Sequence, residues 1–312
     1  MATERNESEG DQEDALAQVL GNAVAYVANE AVVLAQYELH LDAKFAKLWP
    51  SQEDAGDSFN KRMDSVVEHL GAPPEYYIVA DGKNAPPGDN YPQAAMREAF
   101  SVFQRARKSV LRAHMFMTGS QLLANRPELM ELPPDPGVAT TFVNAAGDAF
   151  WEHAEAAYIR LFSYWDRLGQ VLDFAFFNIR KFDQNGFHAV MDRVAANVAP
   201  MNQRLKDSSS WKRLRSFQTS EREDGLKWLL MRRNLLVHSV HLHPIDEGEN
   251  GMLNSQFNHL AQAHRDKLRP QTPAREVELL VGQLQQAGEL FSSFLTLVEF
   301  SPSRKVDTWV RD

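Results

Sequence analysis

Cysteine is absent from all 312 residues. That one absence excludes a disulfide framework, a thiolate zinc site and a thiol nucleophile. It fits a reducing compartment, so a cytoplasmic location is expected. Long apolar stretches are missing as well: no uncharged apolar run of about 18 residues occurs, and no membrane span is expected. The opening segment MATERNESEGDQED is acidic and polar and lacks the basic-then-apolar order of an export signal. A glycine-rich phosphate loop and a Gly-x-Ser-x-Gly elbow are both lacking, which weighs against an NTPase and an α/β-hydrolase. No internal repeat appears and no strand alternation of any length, so the expected class is all-α.

What is present suits an ordinary folded protein, with 44% hydrophobic and 24% charged residues. Such a chain buries a sizeable core without metals or crosslinks. The net charge of −9 argues against a protein that coats nucleic acid indiscriminately. Its distribution changes that judgement. Residues 1–60 hold twelve acidic against three basic side chains, a net of −9, while residues 200–240 hold nine basic against four acidic, a net of +5.

Apolar residues recur at helical spacing from Asp14 to Leu48, and a shorter helix is expected over Asp57 to Leu70. Residues 1–11 are too polar to offset the entropy of ordering and read as a disordered tail. Gly71 to Pro92 is rich in Pro and Gly and reads as loop, with Tyr76 to Val79 strand-like. A helix follows from Pro92 to about Asn125, with Met96, Phe103, Val110 and His114 on its apolar face and Arg105, Arg107, Lys108 and Arg112 as its solvated side. Leu132 to Gly137 is the strongest punctuation and marks a boundary, giving an N-terminal helical region over 12–135 and a second domain over 136–312.

The second domain opens with a very long helix, about Thr140 to Phe182, whose stripe of Tyr158, Phe162, Trp165, Leu168 and Leu172 is core-forming. A polar line, Ser163, Asp166, Gln170 and Asp173, runs along a neighbouring face. It reads either as a solvated edge or as a seam from which Asp166 orients Arg233 or Arg167. Helices are expected at Phe187 to Val198 and Met201 to Phe217, and a strongly apolar one at Pro273 to Phe300.

The chemistry-bearing stretch is Gly225 to Pro244, GLKWLLMRRNLLVHSVHLHP. It reads as one helix capped by Thr219 or Ser220, with Leu226, Leu229, Leu230, Leu236, Val237 and Val240 as its apolar stripe. Set into it are Arg232, Arg233, Asn234 and His238, followed by His241 and His243. At about 100° per residue, Asn234 and His238 lie roughly 40° apart around the helix, and Arg233 and His238 roughly 140° apart. Histidine suits proton transfer because its reference pKa of about 6.5 leaves both forms populated near neutrality. Arginine suits phosphate, since its guanidinium is planar, permanently charged and matched to two oxygens. Asn234 is able to hold either partner by hydrogen bonds. His238, His241 and His243 lack the spacing of a helical zinc hydrolase, so neither a metal nor a cofactor is expected.

The run Arg233-Asn234-Leu-Leu-Val-His238 resembles the Arg-polar-x-x-x-His signature of the HEPN superfamily, and Ser163 to Leu172 resembles the long helix that precedes it in one bacterial branch. The resemblance implies a HEPN-type helical bundle with additional N-terminal helices. It implies a metal-independent endoribonuclease of bacterial phage defence or toxin–antitoxin function, leaving 2′,3′-cyclic phosphate and 5′-hydroxyl ends. Arg233, Asn234 and His238 would be catalytic, with Asp166 and Arg232 supporting. It further implies RNA as substrate, a homodimer whose two motifs share one cleft, and a regulatory partner protein. Val240 stands where some members carry a Tyr that a partner enzyme modifies, which puts that route of regulation in doubt. The alternative is a non-catalytic HEPN-like module that binds RNA, a nucleotide or a partner protein.

Overall fold

The computed structural model describes residues 2–41, 64–70, 91–126, 128, 136–177, 186–238, 261 and 271–301. Among these residues all regular structure is helical, as the sequence pattern requires. The expected loop and strand over Gly71 to Pro92, and the loop over Asp246 to Ser255, lie outside the described residues but for Tyr91 and Pro92, the first two residues of a helix.

The chain divides into two units, Met1–Lys47 and Leu48–Asp312. Residues on both sides of the boundary expected at 135/136 fall in the second unit. In the first unit, helix α1 spans Ala2–His40, starting further back than the apolar spacing marks. Its Leu20, Val24 and Val27 are exposed. The part Leu16–His40, mean hydropathy 1.2, is long and apolar enough by length and composition to cross a membrane. Glu30 and Glu38 interrupt it, which is why a search for uncharged runs passes it over.

The second unit contains α2 (Tyr91–Asn125), α3 (Pro136–Phe177), α4 (Phe187–Asn197), α5 (Gln203–Asp207), α6 (Ser209–Thr219), α7 (Leu226–His238) and α8 (Pro273–Glu299). Helices α2 and α3 run antiparallel. Glu98 meets Arg167, Phe103 meets Tyr164, Phe116 stacks on His153 and Ser120 reaches Val143, so positions rise along one helix as they fall along the other. Along α3 the side chains of Tyr158, Leu161, Trp165, Leu168 and Leu172 are wholly buried, at steps of three and four residues. Each such burial contributes about 1.5–3 kcal/mol for an aliphatic side chain, which is ample to hold a helix of this length in place.

Trp165 ties α3 to two later helices, its ring 5.0 Å from Phe187 of α4 and 4.5 Å from Phe217 of α6. The single helix expected over Met201 to Phe217 is two, because the Ser208 hydroxyl accepts from the Trp211 N–H at 3.1 Å and starts α6. Helix α8 begins with Thr272 accepting from the Arg275 N–H at 3.4 Å and Pro273 in its first turn, and its apolar face is buried from Val277 to Val298.

Helix α7 is entered differently from the sequence expectation. Thr219 closes α6, and Ser220 accepts from the Lys227 N–H with its backbone carbonyl, 3.2 Å, across a turn that holds Glu221, Glu223 and Asp224. Gln283 of α8 fastens this turn, donating to the Glu223 carbonyl at 2.6 Å and the Gly225 carbonyl at 3.2 Å. The buried face of α7 is also corrected. It is Leu226, Trp228, Leu229, Arg232 and Leu235, with Val237 45% exposed. The remainder of the expected helix, from Ser239 to Pro244, lies outside the described residues.

Candidate functional site

The polar line on α3 is a seam with α4. Asp173, 1% exposed, forms an ion pair with Arg193 of α4, and Gln170 accepts from Arg167 at 3.2 Å. Between them the backbones come close: a Cβ added at Gly169 would lie 2.6 Å from the Phe187 nitrogen, and one added at Gly186 would lie 2.5 Å from Asp166 Oδ1. Two glycines are thus what lets α3 meet the start of α4. Gly186 has no side chain with which to cap α4. Asp166 supplies the missing acceptor from the neighbouring helix, taking a hydrogen bond from the Phe187 N–H.

Burial dominates the electrostatics of Asp166 and lifts its pKa to about 6, while the Phe187 N–H and the charges of Arg233 and Arg167 pull it down. The carboxyl therefore sits within the field of both candidate arginines, while its hydrogen bond comes from the Phe187 N–H. It changes charge near neutral pH.

Arg233 comes from α7. Its guanidinium donates to Asn234 Oδ1 at 2.9 Å and lies over the Phe162 ring, 5.5 Å from the centroid. Phe162 and Asp166 are one turn apart on α3, so the same stretch supplies a ring face and a carboxylate to one guanidinium. Asn234 is exposed and Arg233 half-buried, leaving this cation reachable from water.

Arg232 has a different place from its neighbour. It is 1% exposed and forms a buried ion pair with Glu276 of α8. Tyr158 donates to Glu276 Oε2 at 2.7 Å, and the Gln271 N–H donates at 2.9 Å to Oε1, the oxygen that Arg232 also meets. The guanidinium lies 5.5 Å from the Tyr158 ring centroid and 5.7 Å from that of Trp228. Burial and the Glu276 charge hold the Tyr158 hydroxyl protonated well above its ordinary range. Arg232 is thus a structural residue joining α3, α7 and α8. Its side chain is sealed from solvent, so the expected role of Arg232 beside the site is not one of direct contact with a ligand.

His238 is the last residue of α7, one turn beyond Asn234, while His241 and His243 lie outside the described residues. The structure thus gathers Asp166, Arg167, Arg233 and Asn234 around the α3–α7 contact and sends Arg232 inward. Sequence reasoning missed Gly169, Gly186 and Glu276. Gly186 directly before Phe187 was a readable helix-start signal, but its partner in α3 was not.

No family model matches the chain, and neither a curated protein nor a solved structure resembles it.

Proposed function

We propose that this chain is a metal-independent endoribonuclease of HEPN type, acting as a homodimer on RNA. Its Arg233, Asn234 and His238 would carry the reaction, in phage defence or as a toxin under a regulatory partner protein. His238 takes the proton of a ribose 2′-hydroxyl. The 2′-oxygen attacks phosphorus, the bond to the 5′-oxygen breaks, and that oxygen receives a proton from the second subunit's imidazole. A 2′,3′-cyclic phosphate and a 5′-hydroxyl result, and Arg233 neutralises the charge that builds on the phosphoryl oxygens.

The observation that carries this reading is the setting of Arg233. It is reachable from water, held by Asn234, backed by Phe162 and placed in the field of Asp166. A cation held by an amide oxygen and a ring face and open to water is organised to receive an anion, which is the arrangement that transition-state charge stabilisation needs. Asp166 is a positioning group in this scheme.

The test is incubation of purified chain with mixed RNA in excess chelator. Arg233→Ala and His238→Ala are expected to lose cleavage by about 10²-fold or more, and Asn234→Ala by about 10-fold, the worth of one hydrogen bond to a charged group. Undiminished cleavage in Arg233→Ala ends the proposal. A second reading, a non-catalytic helical module, has one observation in its favour. Asp166 is already occupied as the cap of α4, so the carboxylate has a structural reason to be there.

A further inference from the structure

Helix α2 carries five basic side chains against one acidic over Tyr91–Asn125, a net of +4 in a chain whose total is −9. Ser101, Arg105, Ser109 and Arg112 follow one another at four, four and three residues and so share one face of the helix. Arg160 reaches this face from α3, donating to the Ser109 hydroxyl, and Arg105 donates to Ser101 at 2.8 Å. Ser109 is fully buried, so the Arg160 head group is anchored at the helix contact and not waving in solvent.

Two of these cations, Arg105 and Arg160, lack an acidic partner among the described residues, unlike Arg167, Arg193, Arg215, Arg232 and Arg275. Burial and then the charges of Arg112 and Arg105 lower the pKa of Arg160, and no carboxylate contributes. Like charges held together repel, and Arg105 and Arg160 have no carboxylate to offset that repulsion. An anion that bridges them removes the repulsion and gains charge-assisted hydrogen bonds.

We propose that Arg105 and Arg160, with the hydroxyl of Ser101, form a phosphate-binding site for the backbone of a single-stranded nucleic acid. The site is separate from the Arg233 group but connected to it. Arg160 and Arg167 are seven residues apart on the same face of α3, about 10 Å along the axis, so one strand is able to touch both. That the strand is RNA rests on the function proposed above; that phosphates bind here does not.

The experiment measures binding of a 2′-O-methyl RNA oligonucleotide, which cannot be cleaved, from 0.1 to 1 M salt by fluorescence anisotropy. Wild type is compared with Arg105→Gln and with Arg105→Gln/Arg160→Gln, and helical content is checked by circular dichroism. Arg105 is exposed, so the single variant leaves the packing intact. Each lost phosphate contact lowers the salt slope by about 0.7, so the single variant weakens binding about 5-fold and the double about 25-fold at 0.1 M relative to 1 M. The inference is overturned if slope and affinity stay within twofold of wild type, or if wild type binds no strand at 0.1 M. A chain that cleaves nothing while its variants bind more weakly sinks the nuclease reading and keeps this one. Cleavage lost in Arg233→Ala, with binding unchanged in the cluster variants, does the reverse.

Discussion

Replacing Asp166 by Asn should make the protein more stable above neutral pH and leave it unchanged in acid. The carboxyl titrates at about 6 in the folded chain against 3.8 for the free group, so folding disfavours its ionised form. Below pH 4 it is protonated in both states and contributes no difference. As pH rises past 4 the unfolded chain releases its proton first, and wild type loses stability until the folded form has ionised too, near pH 7. A two-unit rise corresponds to about 3 kcal/mol. Solvent screening at a half-buried group reduces that to about 1–2 kcal/mol. The shift already nets the attraction of Arg233 and Arg167 against burial, so their loss needs no separate allowance. Asn retains an oxygen to accept from the Phe187 N–H, so the cap of α4 survives. Urea unfolding of both proteins from pH 4 to 8 should show the Asn variant gaining steadily and levelling off above pH 7. A difference that is constant across that range, or an Asn variant less stable than wild type at pH 7.5, refutes the assignment of burial as the dominant cause.

Other perturbations separate the structural residues from the chemical ones. Arg232→Ala should cost about 3–5 kcal/mol by leaving Glu276 charged and buried, whereas Arg232→Met combined with Glu276→Leu should recover most of that loss in a denaturant-based double-mutant cycle. Gly169→Ala should destabilise by about 1–3 kcal/mol, because the new methyl meets Phe187 backbone atoms that cannot rotate away, while Gly147→Ala, with nothing within 4 Å, should be neutral or stabilising in the same thermal melts. Arg233→Ala should leave the unfolding free energy within about 0.5 kcal/mol of wild type while removing RNA cleavage, since its guanidinium is half-exposed and bonded to an exposed Asn.

The helical class was legible because apolar residues at three- and four-residue steps admit no strand, and Tyr158, Trp165, Leu168 and Leu172 of the expected stripe are buried, whereas Phe162 is half-buried beneath Arg233. The apolar face of α8 was legible for the same reason, except for Glu276, a carboxylate that spacing alone would assign to solvent. Helix α7 shows the limit. Leu236 and Val237 looked like core, and Arg232 was expected as a supporting residue of the site. Yet the face defined by Trp228, Leu229 and Leu235 passes through position 232, so a charge is buried there and its partner lies 44 residues away. Periodicity fixes which residues share a face but is blind to which face a neighbour covers when both carry leucines.

By itself the sequence determined that the chain would be helical, that its basic charge would concentrate in two segments of an otherwise acidic protein, and that Arg233 and Asn234 would be adjacent on one helix. Only the tertiary structure decided that two consecutive arginines would have opposite fates, one sealed against Glu276 and one open beside Asp166. It alone decided that the glycine-lined seam between α3 and α4 would turn a polar line into a helix cap. The reason is that local propensity acts over a turn or two of helix, whereas desolvation and charge pairing are set by side chains that arrive from elsewhere in the chain.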